Sequence, residues 1–109
     1  MYDYRCTIVR VIDGDTVECD IDLGLHIHCQ RKVRLYGINA HEITGAMKEA
    51  GLAAKVALEG KLGEGPVIIR TILDKHDKYG RLLGIFYVAD QSVNAWLIAN
   101  GHAVSSFSS

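Results

Sequence analysis

The order of the predicted secondary-structure elements constrains the fold of this chain more than any other feature of its sequence. Thr16–Ile21 places Val17, Cys19 and Ile21 on one face and acidic residues between them, which is typical of a half-buried strand. Ala46–Leu62 carries an apolar stripe at helical spacing, formed by Ala50, Ala54, Leu58 and Leu62 with Ala53 and Ala57. Along the chain, such patterns predict strands at Cys6–Ile12, Thr16–Ile21 and His26–Ile38, a helix at Ala46–Leu62, strands at Val67–Leu73 and Leu82–Val88, and a helix at Val93–Asn100.

Five strands with a helix between the third and the fourth follow the order of an oligonucleotide-binding-type barrel. We therefore predict an α+β fold that is mainly β, with a five-stranded barrel, a helix between strands 3 and 4, and a second helix at the carboxyl end. The 109 residues contain no internal repeat, which predicts one domain over residues 1–109. The serine-rich tail at 105–109 is expected to be flexible.

The charge of the chain is nearly balanced, with 12 basic residues, 13 acidic residues and a net charge of −1. This balance disfavours a protein that binds nucleic acid through overall charge alone, but it allows a local basic site. Half of the basic residues fall in the third predicted strand and in the segment after the fourth, namely Arg31, Lys32, Arg34, Lys75, Lys78 and Arg81. If the barrel brings them together, they form a positive patch.

Apolar segments of the kind found in membrane and secreted proteins are absent. No run approaches the roughly 18 apolar residues of a membrane span, and the first residues lack the apolar region of a signal peptide. We therefore expect a cytoplasmic protein that does not contact a membrane.

The three cysteines are an odd number without paired metal spacing, which favours free thiols in a reducing compartment. An alternative is that Cys19 and Cys29 face each other across a hairpin. A zinc site at His26, His28 and Cys29 is disfavoured, because the alternation of a strand places Cys29 on the face opposite the two histidines.

Three polar clusters interrupt the apolar strands, at Asp13–Thr16, at Arg34 with Asn39–Glu42, and at Asp77–Arg81. Taken singly, each has a structural explanation, because such turns and strand arginines are common. Together they supply what phosphodiester cleavage needs. Arginines neutralise charge on phosphate oxygens, oxygen ligands hold a hard divalent ion, and a carboxylate activates water. Their spacing alone does not establish that they converge.

Four motifs together resemble the staphylococcal nuclease (thermonuclease) family: Ile12–Val17, Val33–Glu42, Asp77–Arg81 and Val93–Asn94. They occur in the family's order, and the resemblance runs from about Ile8 to Val104. It implies a five-stranded barrel of the oligonucleotide-binding type. It also implies a calcium-dependent nuclease that acts on DNA and RNA and leaves 3′-phosphate ends.

The resemblance implies a metal site and a catalytic base. Asp15, Asn39 and the backbone carbonyl of Ala40 would hold Ca²⁺ or another divalent ion. Glu42 would position or activate the attacking water as the catalytic base. These roles suit the residue types, because hard cations prefer oxygen ligands and a carboxylate near water is a good general base.

The resemblance also implies how substrate is held. Arg34 and Arg81 would clamp the scissile phosphate as catalytic residues, and Lys78 and Tyr79 would bind a terminal phosphate of the nucleotide. Asn94 would tie the last helix to neighbouring backbone. DNA or RNA is therefore the expected partner. The sequence leaves the oligomeric state open, with a monomer favoured.

One residue departs from the family's metal-binding pattern, because Asn39 stands where the family has a second aspartate. An amide oxygen ligates calcium without adding charge, which predicts weaker metal binding or a preference for another divalent ion. Two alternatives therefore stay open. In the first alternative, the chain is a catalytically weak or inactive barrel that binds nucleic acid or protein. In the second, its pocket only holds a mononucleotide.

Overall fold

The computed structural model describes residues 2–40, 48–76 and 82–106. The strands are β1 (Asp3–Asp13), β2 (Thr16–Asp22), β3 (His28–Leu35), β4 (Ile38–Ala40), β5 (Val67–His76), β6 (Leu82–Val88), β7 (Gln91–Ser92) and β8 (Ala103–Ser105). The helices are α1 (Lys48–Leu62) and α2 (Val93–Ala99). Neither helix in these described segments is long and apolar enough to cross a membrane.

Five strands form a closed barrel in the order β3-β2-β1-β5-β6. Neighbouring strands are antiparallel, and the barrel closes through a parallel pairing of β3 with β6 that sets Val33 beside Leu82 and Leu35 beside Gly84. The short strand β7 extends the edge of β6, while β4 and β8 form a separate pair. The predicted fold is therefore confirmed as a five-stranded mixed barrel with two helices.

The prediction of one continuous strand over His26–Ile38 is wrong. His26 lies in the β2–β3 turn with a φ of 62°, and β3 ends at Leu35. Gly37 follows with a φ of 82°, a left-handed conformation that glycine adopts without steric cost. The chain therefore turns, and β4 pairs with β8 instead of continuing along the barrel.

The core lies inside the barrel and beneath the two helices. Its largest fully buried side chains are Phe86, Leu35, Ile38, Leu58, Ile69 and Leu97. On α1, the predicted stripe is confirmed at Ala54, Leu58 and Leu62, but Ala53 is exposed and Gly51 is buried in its place. Successive helical residues are about 100° apart, so Ala53 cannot share the face that Ala54 buries.

Gly14 allows the β1–β2 turn to lie directly against α1 and β4. A Cβ atom at this position would lie 2.7 Å from the Cβ of Ala54 and 2.8 Å from the Cβ of Ala40. Any larger residue would push the turn away from both elements. The close approach matters because Asp15 follows Gly14 in the same turn.

Asn94 ties α2 to the barrel. Its Oδ1 accepts a hydrogen bond of 3.1 Å from the Phe86 amide, and its Nδ2 donates to the carbonyls of Tyr36 (2.9 Å) and Gly84 (3.2 Å). Ser92 caps the amino end of α2, because its side chain accepts a hydrogen bond from the amide of Ala95. These contacts agree with the structural role that the resemblance implies for Asn94.

The cysteines are free thiols, and the alternative that Cys19 faces Cys29 is wrong. Cys19 lies opposite Arg31 in the β2–β3 register, whereas Cys29 lies opposite Ile21. Interaction with the Cys6 thiol, together with burial, raises the pKa of the Cys19 thiol. Cys19 is therefore a protonated core residue at neutral pH.

Candidate active site

Asp15 is held in one orientation by both its backbone and its side chain. Its carbonyl accepts a hydrogen bond of 2.8 Å from the amide of Leu35, at the end of β3. Its Oδ2 accepts from the amide of Ala40 at 3.0 Å, and its Oδ1 accepts from the hydroxyl of Thr16 at 3.1 Å. With only 16% of the side chain exposed, the carboxylate is fixed at the junction of three strands.

Arg34 lies beside Asp15 because Thr16 and Arg34 are paired in the β2–β3 register. Its Nη2 donates a hydrogen bond of 2.9 Å to the carbonyl of Ile38 and a second to Oδ1 of Asn39. The same nitrogen lies 3.7 Å from Oδ2 of Asp15. The Arg34 side chain is only 18% exposed, so its guanidinium is a preorganised cation at the barrel rim.

Asn39 and Ala40 lie beside Asp15 and Arg34 because both residues belong to β4. The pairing of Asn39 with Val104 and of Ala40 with Ala103 fixes the backbone of β4 against β8. The Asn39 residue is exposed and Ala40 is half-buried, so this edge of the cluster faces solvent. The structure thus brings together Asp15, Arg34, Asn39 and Ala40. The predicted site residues Glu42, Lys78, Tyr79 and Arg81 lie outside the described residues.

The family model of staphylococcal nuclease homologues matches residues 32–109, more than two thirds of the chain. The chain belongs to this family. A comparison with curated proteins finds no match. In this nuclease homologue the matched segment contains Arg34, Asn39 and Ala40, whereas Asp15 precedes it. The contacts of Asp15 with Arg34 and Ala40 therefore join the matched segment to the chain before it.

The oxygens of the cluster fit a hard divalent cation in chemical type. A carboxylate, an amide oxygen and a backbone carbonyl, from Asp15, Asn39 and Ala40, are the donors that calcium and magnesium prefer. They bring a single formal negative charge, and the Arg34 guanidinium lies beside it. Among residues 2–40, 48–76 and 82–106 of the nuclease homologue, no three His, Cys, Asp or Glu side chains gather as a metal site.

Charges around the cluster are mixed. Arg31 and Lys32 are exposed on β3, as the predicted positive patch requires, but Glu18 lies opposite Lys32 on β2. Glu18 accepts hydrogen bonds from Gln30 (3.0 Å) and Arg10 (2.8 Å), and these bonds lower the pKa of its carboxyl group. Positive charge on β3 is therefore offset in part by Glu18 on β2.

Two contributors to the site were missed by sequence reasoning about function. The hydroxyl of Thr16 holds the Asp15 carboxylate, and the carbonyl of Ile38 holds Arg34. The role of Thr16 could have been predicted from the sequence, because Thr16 directly follows Asp15 and its hydroxyl can form a local hydrogen bond with it. The Ile38 carbonyl carries no signal in the sequence, because every residue has one.

Proposed function

We propose that this protein is a metal-dependent nuclease that hydrolyses phosphodiester bonds of DNA or RNA. The observation that carries the proposal is the cluster at the barrel rim, where Arg34 contacts Asp15 and Asn39. A cation and oxygen ligands held within a few ångströms of each other are suited to an anionic phosphate and its metal ion. Membership of the nuclease homologue family supports the same activity.

The side chains of Asp15 and Asn39 and the carbonyl of Ala40 would hold the metal ion. When bound, a divalent ion neutralises phosphate charge and polarises the phosphorus centre. Arg34 adds a second positive charge. Among the described residues, the hydrogen bonds of Arg34 go through Nη2, and we propose that its other N–H groups contact phosphate oxygens. Arginine suits this task because it stays charged and carries five N–H donors.

The remaining roles are proposed from the motifs. Glu42 takes a proton from the attacking water, Arg81 provides the second clamp on the scissile phosphate, and Lys78 and Tyr79 bind a terminal phosphate of the nucleotide. Water attacks phosphorus, the P–O5′ bond breaks, and the 5′ oxygen leaves with a proton. The products are a 3′-phosphate end and a 5′-hydroxyl end.

The test is cleavage of denatured DNA and of RNA with Ca²⁺, against chelator and against Glu42→Gln. Glu64→Gln is a matched control, because Glu64 is exposed and pairs with Lys61 away from the cluster. We expect cleavage that requires Ca²⁺, is lost in Glu42→Gln and is kept in Glu64→Gln. Loss in neither variant would contradict the role of Glu42.

A second function, a non-catalytic barrel that binds nucleic acid, is favoured by Asn39. Its amide adds no negative charge to the ligand set, and its oxygen accepts a hydrogen bond from Arg34. The same assay separates the two functions when Ca²⁺, Mg²⁺ and Mn²⁺ are compared. Folded protein that binds DNA but cleaves it with none of these ions would establish the binding module and overturn the nuclease.

A further inference from the structure

One nitrogen atom of Arg34 is surrounded by three oxygens. The Nη2 group has two hydrogens, and it donates them to the carbonyl of Ile38 and to Oδ1 of Asn39. The third oxygen is Oδ2 of Asp15, 3.7 Å away, which contributes charge attraction at a distance beyond a hydrogen bond. Nη2 therefore lies among these oxygens as a bound metal cation would lie among its ligands.

Two of these three oxygens belong to the side chains that would hold the metal ion. Ca²⁺ binds oxygen at about 2.3–2.6 Å, and Mg²⁺ binds it at about 2.0–2.1 Å. A divalent ion at that distance from Asp15 and Asn39 would lie against Nη2, and the two like charges would repel each other strongly. Since Arg34 is only 18% exposed, water screens that repulsion poorly.

We infer that Arg34 is the internal cation of this pocket and that a divalent ion enters by displacing Nη2 from Asn39 and Asp15. The inference rests on the proposed function, and it specifies that the metal ion displaces Arg34 before Arg34 binds a phosphate. Metal binding releases donors of Arg34, which then become available to a phosphate. Metal loading and phosphate binding by Arg34 are thus coupled, and the coupling is reciprocal by linkage.

Asn39 suits such an exchange. Its neutral amide holds Arg34 by a hydrogen bond, whereas a carboxylate would hold it by a stronger, charge-assisted pair. A divalent ion binds only to molecules in which Arg34 has left the oxygens of Asn39 and Asp15. The apparent metal affinity is therefore lower than the intrinsic affinity, in proportion to the fraction of molecules in which these oxygens are open. The exchange therefore accounts for part of the weak metal binding expected here.

The first measurement is calorimetric titration with Ca²⁺ alone, without nucleic acid, on the wild type and Arg34→Met. Arg10→Met is the matched control, because Arg10 is 61% exposed and pairs only with Glu18 among the described residues. We expect Arg34→Met to bind Ca²⁺ about tenfold more tightly than the wild type, within the usual range of coupling between sites. Arg10→Met should bind as the wild type does. Unchanged, weaker or absent Ca²⁺ binding in a folded Arg34→Met would overturn the inference.

The second measurement separates displacement from a simple effect of charge, and it uses the wild type. In a crystal structure with Ca²⁺ bound, we expect Nη2 of Arg34 to have left Oδ1 of Asn39. An arginine that keeps both the Asn39 bond and the Asp15 contact beside the bound ion would overturn the inference, whatever the affinities. Nuclease assays on the same wild-type sample keep the two proposals distinct. Calcium-dependent cleavage with Arg34 unmoved refutes the exchange alone, and absence of both cleavage and Ca²⁺ binding refutes both.

Discussion

The amide of Ala40 donates a hydrogen bond of 3.0 Å to the carboxylate of Asp15, a residue 25 positions earlier in the chain. This bond joins β4, inside the segment that matches the nuclease homologue family, to the β1–β2 turn before it. It orients the carboxylate toward Arg34, which lies 3.7 Å from the same oxygen. The arrangement depends on the tight packing of the β1–β2 turn, on the anchoring of α2, and on the turn that separates β3 from β4.

Gly14→Ala should destabilise the protein by about 2 kcal/mol, because the added Cβ overpacks the space between α1 and β4. It would lie 2.7 Å from the Cβ of Ala54 and 2.8 Å from the Cβ of Ala40. Urea denaturation measures the change. Gly60→Ala is the matched control, since nothing lies within 4 Å of its added Cβ, and it should raise helix stability by about 0.5–1 kcal/mol. Equal effects of the two substitutions would contradict the packing argument.

Asn94→Ala should lower the free energy of unfolding by about 3 kcal/mol. The substitution removes the hydrogen bonds of the buried Asn94 side chain to the amide of Phe86 and to the carbonyls of Tyr36 and Gly84. Asn100→Ala serves as the comparison, because among the described residues the exposed Asn100 side chain bonds only to the Trp96 carbonyl one turn earlier on α2. A loss below about 1 kcal/mol for Asn94→Ala would show that water replaces these bonds.

Stability should fall in acid partly through Glu18. Hydrogen bonds from Gln30 and Arg10 lower its pKa below the ordinary value of 4.5, so the folded state favours the ionised form. The resulting stabilisation is complete above pH 4.5 and is lost as the pH falls through the lowered pKa. Denaturation of Glu18→Gln at a series of pH values should show a shallower acid decline than the wild type. Gln30→Ala should show an intermediate decline, and identical pH profiles for all three proteins would refute this assignment.

Asn39→Asp should reduce the Ca²⁺ concentration needed for half-maximal cleavage by about tenfold, because a second carboxylate adds charge to the ligand set. The same substitution strengthens the pair with Arg34, but a divalent ion gains more from the added charge than a guanidinium does. Calcium titrations of cleavage rate on denatured DNA measure the change. Half-maximal cleavage by the wild type at micromolar Ca²⁺, together with no change in Asn39→Asp, would refute the prediction.

Local signals in the sequence predicted much of the fold. β6 has the predicted bounds, and α2 begins at the predicted Val93, because both depend on neighbouring residues. The break after Leu35 was not predicted. It depends on the left-handed conformation of Gly37 and on a backbone hydrogen bond between Leu35 and the distant Asp15.

The candidate site likewise combines features that the sequence predicted with features that depend on distant contacts. The types of Asp15, Arg34 and Asn39 suggested phosphate chemistry, and the resemblance to a nuclease family assigned their roles. Their convergence requires the β2–β3 register and the turn into β4, which spacing along the chain does not encode. The hydrogen bond between Arg34 and Asn39 was likewise beyond sequence patterns, because it depends on the turn at Gly37.

The most direct test of a metal-dependent nuclease built around Asp15 is the rate of cleavage of denatured DNA by Asp15→Asn at a Ca²⁺ concentration that saturates the wild type. Asp13→Asn is the matched control, because Asp13 ends β1 two residues before Asp15. We expect no cleavage by the wild type in chelator, a loss of about 100-fold in Asp15→Asn, and a change of less than about threefold in Asp13→Asn. Cleavage that persists in chelator, or an Asp15→Asn variant as active as the wild type, would contradict this expectation.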